Sequence, residues 1–362
     1  MATYIHHIET VVPDAAYPQA LVGEVLLGQL SDRKLERLGK SVYRSCAIEQ
    51  RHSVIRDLRG EDDFFLSADG RLTSPTTKER NERYTAEAKR LFACAAHKVV
   101  AGCPGVKPSD ITHVITVSCT GFFAPGPEYH IVRELGLPST TERYHLGFMG
   151  CYASFPALKM AQAFCEADPD ATVLIVSLEL CTLHLRAATT LDELIATCVF
   201  ADGGGAAIVS AKAPASEARG LELRAFASSL VTDGEADMAW TIGDEGFEMV
   251  LSTYVPELLG SNIAAAVEPV LTAAGQTRCA VDHWAVHPGG RAILDKVQSA
   301  LALGENALEA SRKVLRTYGN MSSATIFFVL QELLGSAQPN DTLYALAFGP
   351  GLTVESGLFR RV

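Results

Sequence analysis

Three side chains that could share one reaction lie far apart in the sequence: a cysteine, a histidine and an asparagine. Cys151 stands between a glycine and an apolar stretch with helical spacing, in GFMGCYASFPALKMAQAFC. A thiolate is a strong nucleophile, and a helix N-terminus or a neighbouring imidazolium lowers the pKa of a thiol. Most buried free cysteines are simply small core residues, so Cys151 alone allows both interpretations.

The candidate partners of this thiol follow in the C-terminal part of the chain. His287 ends an apolar, strand-like run in WAVHPGG, and sites gather at strand ends in α/β folds, which favours a functional role. Asn320, in YGNMSSA, precedes a helix predicted to begin near Ser322, where asparagine is also an ordinary capping residue. Together the three residue types indicate acyl transfer through a thioester, with imidazole and amide N–H groups holding a developing oxyanion.

Composition sets the broad class of the protein. The chain has 362 residues, 48% of them hydrophobic, which predicts one large or two medium domains with substantial cores. The net charge of −11 argues against nucleic-acid binding. No apolar stretch reaches the roughly 18 residues of a membrane span, so no span is predicted.

The cysteines and histidines give the expected compartment and metal content. Nine cysteines without a CxxC pair, and an N-terminus without a basic and apolar leader, predict a reduced, cytoplasmic protein without a signal peptide. The histidines include no HExxH pattern, and the pair His6 and His7 lies in an early strand-like segment. No metal site is therefore expected.

Strand-like and helical segments alternate along the chain. Strands are predicted over 112–120, 171–180, 204–211, 220–230 and 281–289, and helices over 128–137, 152–169, 289–303 and 322–334. This alternation predicts an α/β fold with buried, mostly parallel sheets. A terminal hairpin is predicted over 341–362, and the charged segment 59–84 is expected on the surface or over an entrance.

The pattern appears twice, which suggests a duplicated architecture. The polar, alanine-rich stretch SAKAPASEARG (210–220) is the expected boundary between the halves. We therefore expect an N-terminal half, 1–215, that carries the cysteine, and a C-terminal half, 216–362, that carries the histidine and asparagine.

The quoted segments resemble those of type III polyketide synthases, the chalcone-synthase-like branch of the thiolase superfamily. The resemblance spans nearly the whole chain and is strongest in GFMGCYASFPAL, WAVHPGGRAILD, YGNMSSA and LYALAFGPG. It implies a homodimer of five-layered αβαβα subunits with Cys151 as the acyl-accepting nucleophile. His287 and Asn320 would then be the pair that supports decarboxylation and holds the oxyanion.

The reaction that the resemblance implies uses acyl-CoA and malonyl-CoA as substrates, without a metal or redox cofactor. The starter acyl group is transferred to Cys151, and loss of CO2 from malonyl-CoA leaves an enolate that attacks it. Further rounds and a cyclisation follow. The segments SCTGF, FMGC and ELC resemble those of bacterial members that accept fatty acyl starters and form alkylpyrones or alkylresorcinols.

The resemblance also assigns residues to the pocket. Phe200 and Met249 match the two positions that separate the CoA tunnel from the cavity, with methionine replacing a phenylalanine. The other residues implied in substrate binding are Cys119, Thr120, Cys181, His184, Ser322, Gly349 and Pro350. For His184, two roles are open: polarising a water or the growing chain, or filling a gap in the core with one hydrogen bond.

The CoA-binding residues are expected in two places. Gly289, Gly290 and Ala292 match a channel wall where small side chains let the backbone approach the pantetheine arm. Arg44 and Arg51, in RSCAIEQRH, are candidates for the CoA phosphates, but the interpretation of each as a solvated surface charge is favoured.

Two other enzyme classes and a non-catalytic role are open. A single-condensation ketoacyl synthase would require a patch of lysines and arginines for a carrier protein, which the acidic balance disfavours. A cysteine hydrolase would use the same three residue types, but the local signatures of papain-like enzymes do not occur. A non-catalytic binding protein would not need all three residues.

Overall fold

The computed structural model describes residues 2–214, 219–235 and 237–362. No helix within these ranges is both long and apolar enough to cross a membrane. The nine cysteines all lie in the described ranges and are free.

The described part of the first half contains seven strands and six helices. They are β1 (Thr3–Val11), β2 (Ala15–Pro18), α1 (Gln19–Leu27), α2 (Arg33–Ser45), β3 (Gln50–Ser53), α3 (Thr77–Gly102), β4 (His113–Ser118), α4 (Pro127–Glu134), β5 (Glu142–Gly147), α5 (Ser154–Ala167), β6 (Thr172–Leu180), α6 (Leu191–Val199) and β7 (Asp202–Ser210).

The described part of the second half contains six strands and four helices. They are β8 (Leu221–Leu230), β9 (Met238–Gly243), β10 (Gly246–Leu251), α7 (Val255–Ala273), β11 (His283–Val286), α8 (Arg291–Ala300), α9 (Glu309–Tyr318), α10 (Thr325–Leu334), β12 (Thr342–Gly349) and β13 (Thr353–Arg361). The predicted boundary between residues 215 and 216 lies outside the described residues.

Nine strands form one sheet in the order β11-β12-β13-β8-β1-β7-β6-β4-β5. The pairs β4·β5, β4·β6 and β11·β12 are parallel, and the other five pairs are antiparallel. The prediction of mostly parallel sheets is therefore wrong. An intervening helix allows either strand direction, and the chain returns antiparallel through α6 and through the terminal hairpin.

The strand directions repeat between the halves. Both β4-β6-β7-β1 and β11-β12-β13-β8 run as one parallel pair followed by two antiparallel pairs. Strands β1 and β8 join the two sets, with Tyr4 opposite Glu222. The expected α/β fold of two duplicated halves is confirmed.

Helices cover the strands in layers. The first outer layer is α3 with α4, and α7 with α8 forms the opposite one. Helices α5 and α10 lie between the two sets of strands and share the central core. Helix α10, TIFFVLQELL, is apolar nearly all round, and eight of its ten residues are buried, as expected for a helix enclosed by protein.

Close packing in the central layer depends on the glycines of β7. A Cβ atom added at Gly205 would lie 2.5 Å from the Cβ of Phe327 in α10, and one at Gly203 would overlap the Met321 side chain. The sequence DGGGAAIVS therefore lets α10 approach the strand directly. This contact fixes the distance between α10 and β7, and with it the position of the segment before α10 that carries Asn320.

Substituting Gly205 tests this packing. Gly205→Ala should lower the free energy of unfolding by about 1–3 kcal/mol, because an extra methyl group in a packed core forces displacement. Gly304→Ala is the control, since nothing lies within 4 Å of an added Cβ there. Urea unfolding measures both, and equal midpoints for Gly205→Ala and the wild type would contradict the packing argument.

Candidate active site

One cavity of about 360 Å³ contains Cys151, His287 and Asn320 in its lining. Cys151 comes from the segment between β5 and α5, His287 follows β11, and Asn320 lies between α9 and α10. Cys151 thus meets two residues that follow it in the chain by more than a hundred positions. The wall includes side chains of both halves.

The backbone around Cys151 is tightly constrained. Gly150 has φ +101°, and a Cβ atom there would overlap the ring of Pro350. Its N–H donates to the Cys119 Sγ at 3.0 Å. The cysteine is buried just before the first turn of α5, which begins at Ser154.

Burial dominates the electrostatics of the Cys151 thiol. It raises the pKa of Cys151 to about 12, although hydrogen bonds from Ser322 and Asn320 act in the opposite direction. The lowering predicted from the helix end is therefore outweighed by desolvation, which disfavours the charged form. The neutral thiol is favoured until a base takes its proton.

His287 offers an imidazole whose nitrogen atoms are unengaged. Its backbone N–H donates to the Leu346 carbonyl at 2.8 Å, which fixes it at the end of β11. The side chain is 1% exposed, and neither ring nitrogen has a hydrogen-bond partner among the described residues. Burial lowers the pKa of His287 to about 3. Unpaired buried polar groups cost about 1–3 kcal/mol each and are rare, so this ring indicates a site for a reacting group.

Asn320 has a fixed side-chain orientation. Its Oδ1 accepts from the Ser322 N–H at 2.9 Å, which leaves Nδ2 as the available donor, 3.5 Å from the Gly289 carbonyl. Ser322 has φ +47°, an uncommon conformation for a residue other than glycine. A thiol, a neutral imidazole and an amide donor therefore share the cavity, which suits nucleophilic attack and oxyanion stabilisation.

Most of the pocket residues predicted from sequence line this cavity. They are Cys119, Thr120, Cys181, His184, Phe200, Met249, Gly289, Ser322 and Pro350. Gly349 lies behind the wall, where a Cβ atom would lie 2.5 Å from the Tyr152 ring. Gly290 and Ala292 are outside the lining at the start of α8, and Ala292 is exposed.

The geometry of His184 favours a packing role. Its Nε2 donates to the Thr120 carbonyl at 2.9 Å, and its Nδ1 accepts from the Phe247 N–H at 3.0 Å. The ring stacks on Phe247 with centroids 4.2 Å apart, and burial lowers the pKa of His184 to about 3. Both nitrogen atoms are occupied, so the ring links two walls of the pocket and has no free site for a proton.

The two candidate cations for CoA differ in placement. Arg44 is exposed on α2, and its Nε donates to the Lys40 carbonyl at 3.1 Å. Arg51 is 6% exposed and donates to Gln19 Oε1, the Thr197 carbonyl and the Phe200 carbonyl at 2.6–2.7 Å. The interpretation of Arg51 as a solvated surface charge is wrong, because the guanidinium is enclosed by these oxygen atoms.

Sequence reasoning missed Glu179, a carboxyl beneath the cavity. It is buried in β6 and accepts from the Cys119 N–H at 2.9 Å, from Thr120 Oγ1 at 2.8 Å and from Ser323 Oγ. Burial raises the pKa of Glu179 to about 7. The signal was present, since Glu179 is the one charged residue in the apolar run ATVLIVSLEL.

An apolar arm of the cavity was also missed. Its side chains come from α1 and from the segment that follows β3, and they are Val22, Val25, Leu26, Ile55, Leu58, Phe65, Leu66 and Leu72. Residues 65–72 belong to the segment 59–84, which was expected at the surface or over an entrance. The Gln29 side chain holds this segment against the end of α1 through Gly70 and Leu72.

Glu179 gives a pH dependence whose sign can be tested. Its pKa in the fold, about 7, lies above the ordinary 4.5, so the folded chain binds this proton more tightly than the unfolded chain. The contribution to stability is full below pH 4.5 and falls by about 3 kcal/mol as the pH rises to 7. Other buried groups titrate in the same range, so the quantity to measure by urea unfolding is the free energy of unfolding of the wild type minus that of Glu179→Gln. This difference should fall by about 3 kcal/mol between pH 4.5 and 8, whereas Glu309→Gln, at an exposed position, should follow the wild type. A difference that does not change with pH would contradict the assignment.

Comparison with known families covers both halves of the chain. The model of the N-terminal domain of chalcone and stilbene synthases matches residues 3–213. The model of the C-terminal domain of the same enzymes matches residues 222–362.

Named relatives are similar over most of the chain. The alpha-pyrone synthesis polyketide synthase-like Pks18 of Mycobacterium tuberculosis is 30% identical over 323 residues, 88% of this chain and 81% of that protein. A probable polyketide synthase 1 of Dictyostelium discoideum is 31% identical over 99% of this chain. The chain spans only 11% of the length of that Dictyostelium protein.

Solved structures show the same fold. The crystal structure of PKS-I from the brown alga Ectocarpus siliculosus has a TM-score of 0.92 and 27% identity, and the match covers 100% of this chain and 98% of that one. The C-terminal type III polyketide synthase domain of Steely1, a type I/III hybrid from Dictyostelium, has a TM-score of 0.90, 26% identity and full coverage of both chains. The chain therefore belongs to the chalcone and stilbene synthase family and is a type III polyketide synthase, an acyltransferase with a thiolase-like fold.

Proposed function

We propose that the protein condenses malonyl-CoA repeatedly with an acyl-CoA starter held on Cys151, and that the product cyclises to a pyrone or resorcinol. The observation that carries this proposal is the shared cavity of the Cys151 thiol, the unpaired His287 ring and the Asn320 amide. CoA thioesters are the substrates, and no further cofactor is part of the proposal.

The first step loads the starter. The neutral His287 ring takes the proton from the Cys151 thiol, and the thiolate attacks the thioester carbonyl of the acyl-CoA. CoA leaves as a thiol after receiving that proton. The imidazole is neutral again, and the acyl group is bound to Cys151 through a thioester.

The second step extends the chain. The thioester carbonyl of malonyl-CoA accepts hydrogen bonds from Asn320 Nδ2 and from a ring N–H of His287. Loss of CO2 leaves an enolate whose oxygen these donors stabilise, and each such donor contributes about 3 kcal/mol. The enolate carbon attacks the acyl carbonyl and releases the Cys151 thiolate for the next round.

The lining favours a medium- or long-chain fatty acyl starter. Cys119 and Cys181 are small residues next to the reacting sulfur, and the apolar arm from α1 and residues 55–72 extends the space. Burial of methylene groups against such a wall contributes about 0.8 kcal/mol each. The alpha-pyrone named for the Mycobacterium relative supports the same class of product.

Helix α2 is the best candidate for the phosphates of CoA. It carries exposed Arg33, Lys34, Arg37, Lys40 and Arg44. The helix packs against α6, which contributes Ala196 and Thr197 to the cavity wall. Phosphates near α2 would place the pantetheine arm between α6 and Gly289. Of the two arginines predicted from sequence to bind CoA, Arg44 therefore stays a candidate.

We propose a homodimer for the assembly. Strand β5 is an edge of the sheet, and Phe122 nearby is 39% exposed with its ring 5.6 Å from that of Phe148. An unpaired strand edge beside an exposed aromatic side chain suits a second copy of the chain.

The alternative is a single-round ketoacyl synthase of the same superfamily. The cation-rich face of α2 favours it, because a carrier protein that delivers the substrate is acidic. One condensation per starter, and no cyclised product from CoA thioesters, would select this alternative.

The roles of the three residues are tested by malonyl-CoA decarboxylation. Asn320→Ala should lower its kcat by about 10²–10³-fold, because one oxyanion donor is lost. Cys151→Ala should retain decarboxylation and lose all condensation product. Product formation by Cys151→Ala at the wild-type rate would contradict the proposal.

The starter class is tested with C2 to C20 acyl-CoAs and mass analysis of the products. The wild type should prefer medium or long chains, and Val25→Trp should shift the preference to shorter ones by filling the apolar arm. Leu21→Trp is the matched control, because Leu21 is on the same helix, 39% exposed and outside the lining. A wild type that uses only short or aromatic starters would overturn the starter assignment.

A further inference from the structure

The segment that carries Asn320 is joined to the end of α6 by a short backbone bridge. The Asn320 N–H donates to the Val199 carbonyl at 2.9 Å, and the Ala201 N–H donates to the Asn320 carbonyl at 2.8 Å. Phe200 is the bridge partner of Asn320 in this parallel pairing. The position of the Asn320 amide therefore depends on the position of the end of α6.

The end of α6 has four carbonyl groups that the helix itself leaves without partners, as at any helix C-terminus. Arg51 Nη1 donates to the carbonyls of Thr197 and Phe200, at 2.7 and 2.6 Å. Gln19 Nε2 donates to the Cys198 carbonyl at 2.8 Å. The fourth carbonyl, that of Val199, accepts from the Asn320 N–H.

Arg51 also contacts the other side of the bridge. A Cβ atom added at Gly319 would lie 3.1 Å from the Arg51 Cγ, so the side-chain stem packs directly against the residue before Asn320. Gln19 Oε1 holds the Arg51 Nε at 2.7 Å and fixes the plane of the guanidinium. One side chain therefore braces both strands of the bridge.

Arg51 is among the residues that line the cavity, but the hydrogen bonds of its Nε and Nη1 go to protein oxygen atoms. Its partners are the Gln19 amide oxygen and two backbone carbonyls, all neutral. Desolvating a charge is costly unless it is well hydrogen-bonded. A neutral core residue could fill the same space without this cost. The arginine adds the hydrogen bonds to the end of α6 and a positive charge at the negative end of the helix dipole.

We propose that Arg51 is a positioning residue that sets the location of the Asn320 amide through the end of α6 and the Phe200–Asn320 bridge. This inference rests on the proposed role of Asn320 in decarboxylation. A displacement of about 1 Å in a catalytic group can cost roughly 100-fold in rate. Arg51 thus acts on decarboxylation through the hydrogen bonds of its Nε and Nη1, which hold the end of α6.

The test separates decarboxylation from the reactivity of Cys151. Arg51→Met should lower kcat for malonyl-CoA decarboxylation by about 10- to 100-fold. The KM for malonyl-CoA should change much less than kcat, because the donor acts mainly on the enolate that forms. The rate of alkylation of Cys151 by iodoacetamide should also fall less than kcat, because burial, and not the hydrogen bond from Asn320, dominates the pKa of that thiol. Arg51→Lys keeps the charge and one donor group, and should recover part of kcat.

Arg80→Met is the matched control. Arg80 is 1% exposed and donates to the carbonyls of Pro75, Leu183 and Leu185, so it is also a buried arginine bound to backbone oxygens. None of these carbonyls belongs to α6 or to the bridge. A comparable loss of thermal stability with little change in the decarboxylation kcat is expected. An equal loss of kcat in Arg80→Met and Arg51→Met would overturn the proposal.

Further variants keep the outcome interpretable. If Arg51→Met does not fold, Gln19→Met, which removes the support of Arg51 Nε, should lower kcat in the same direction, and wild-type kcat in both Gln19→Met and Arg51→Lys would overturn the proposal. Asn320→Ala separates failure of the proposed function from failure of the role of Arg51. Full malonyl-CoA decarboxylation by Asn320→Ala would refute the proposed function. Loss of decarboxylation in Asn320→Ala together with wild-type kcat in Arg51→Met would refute only the role of Arg51.

Discussion

Two backbone hydrogen bonds between Asn320 and the chain at Val199 and Ala201 connect the halves of the molecule at the cavity. The cysteine belongs to the first half, and the histidine and asparagine belong to the second. Their relative positions are therefore set by how the halves pack, and the bridge fixes that packing within reach of the reacting atoms. The glycines of β7 and the apolar α10 supply the close contact that keeps the bridge in place.

Burial explains both the electrostatics and the chemistry of the site. In the enclosed cavity, desolvation keeps the Cys151 thiol and the His287 imidazole uncharged. A neutral imidazole can accept the thiol proton at one nitrogen and can donate its N–H to an oxyanion from the other, whereas an imidazolium could not accept the proton. The cost is a buried ring without a protein partner, and the rigid layers around it offset that cost.

The sequence predicted the reactive residues better than their surroundings. Cys151, His287 and Asn320 each lie in a distinctive motif of consecutive residues. Such a motif can be recognised without knowledge of the fold. Strand direction did not follow from alternation, because a helix can return the chain either way. Arg51 could not be placed, since nothing near it in sequence shows that its partners are the carbonyls of residues 197 and 200. Glu179 was visible as a lone charge in an apolar strand, but its partners come from distant segments.

The central claim is that Cys151 carries the acyl chain, and peptide mass spectrometry tests it most directly. The protein would be incubated with a fatty acyl-CoA alone, digested, and then compared with a sample chased with malonyl-CoA. The account predicts the acyl mass on the peptide that contains Cys151, and its disappearance during the chase as extended product forms. Product formation while that peptide stays unmodified, or acylation of another cysteine that the chase consumes, would contradict it.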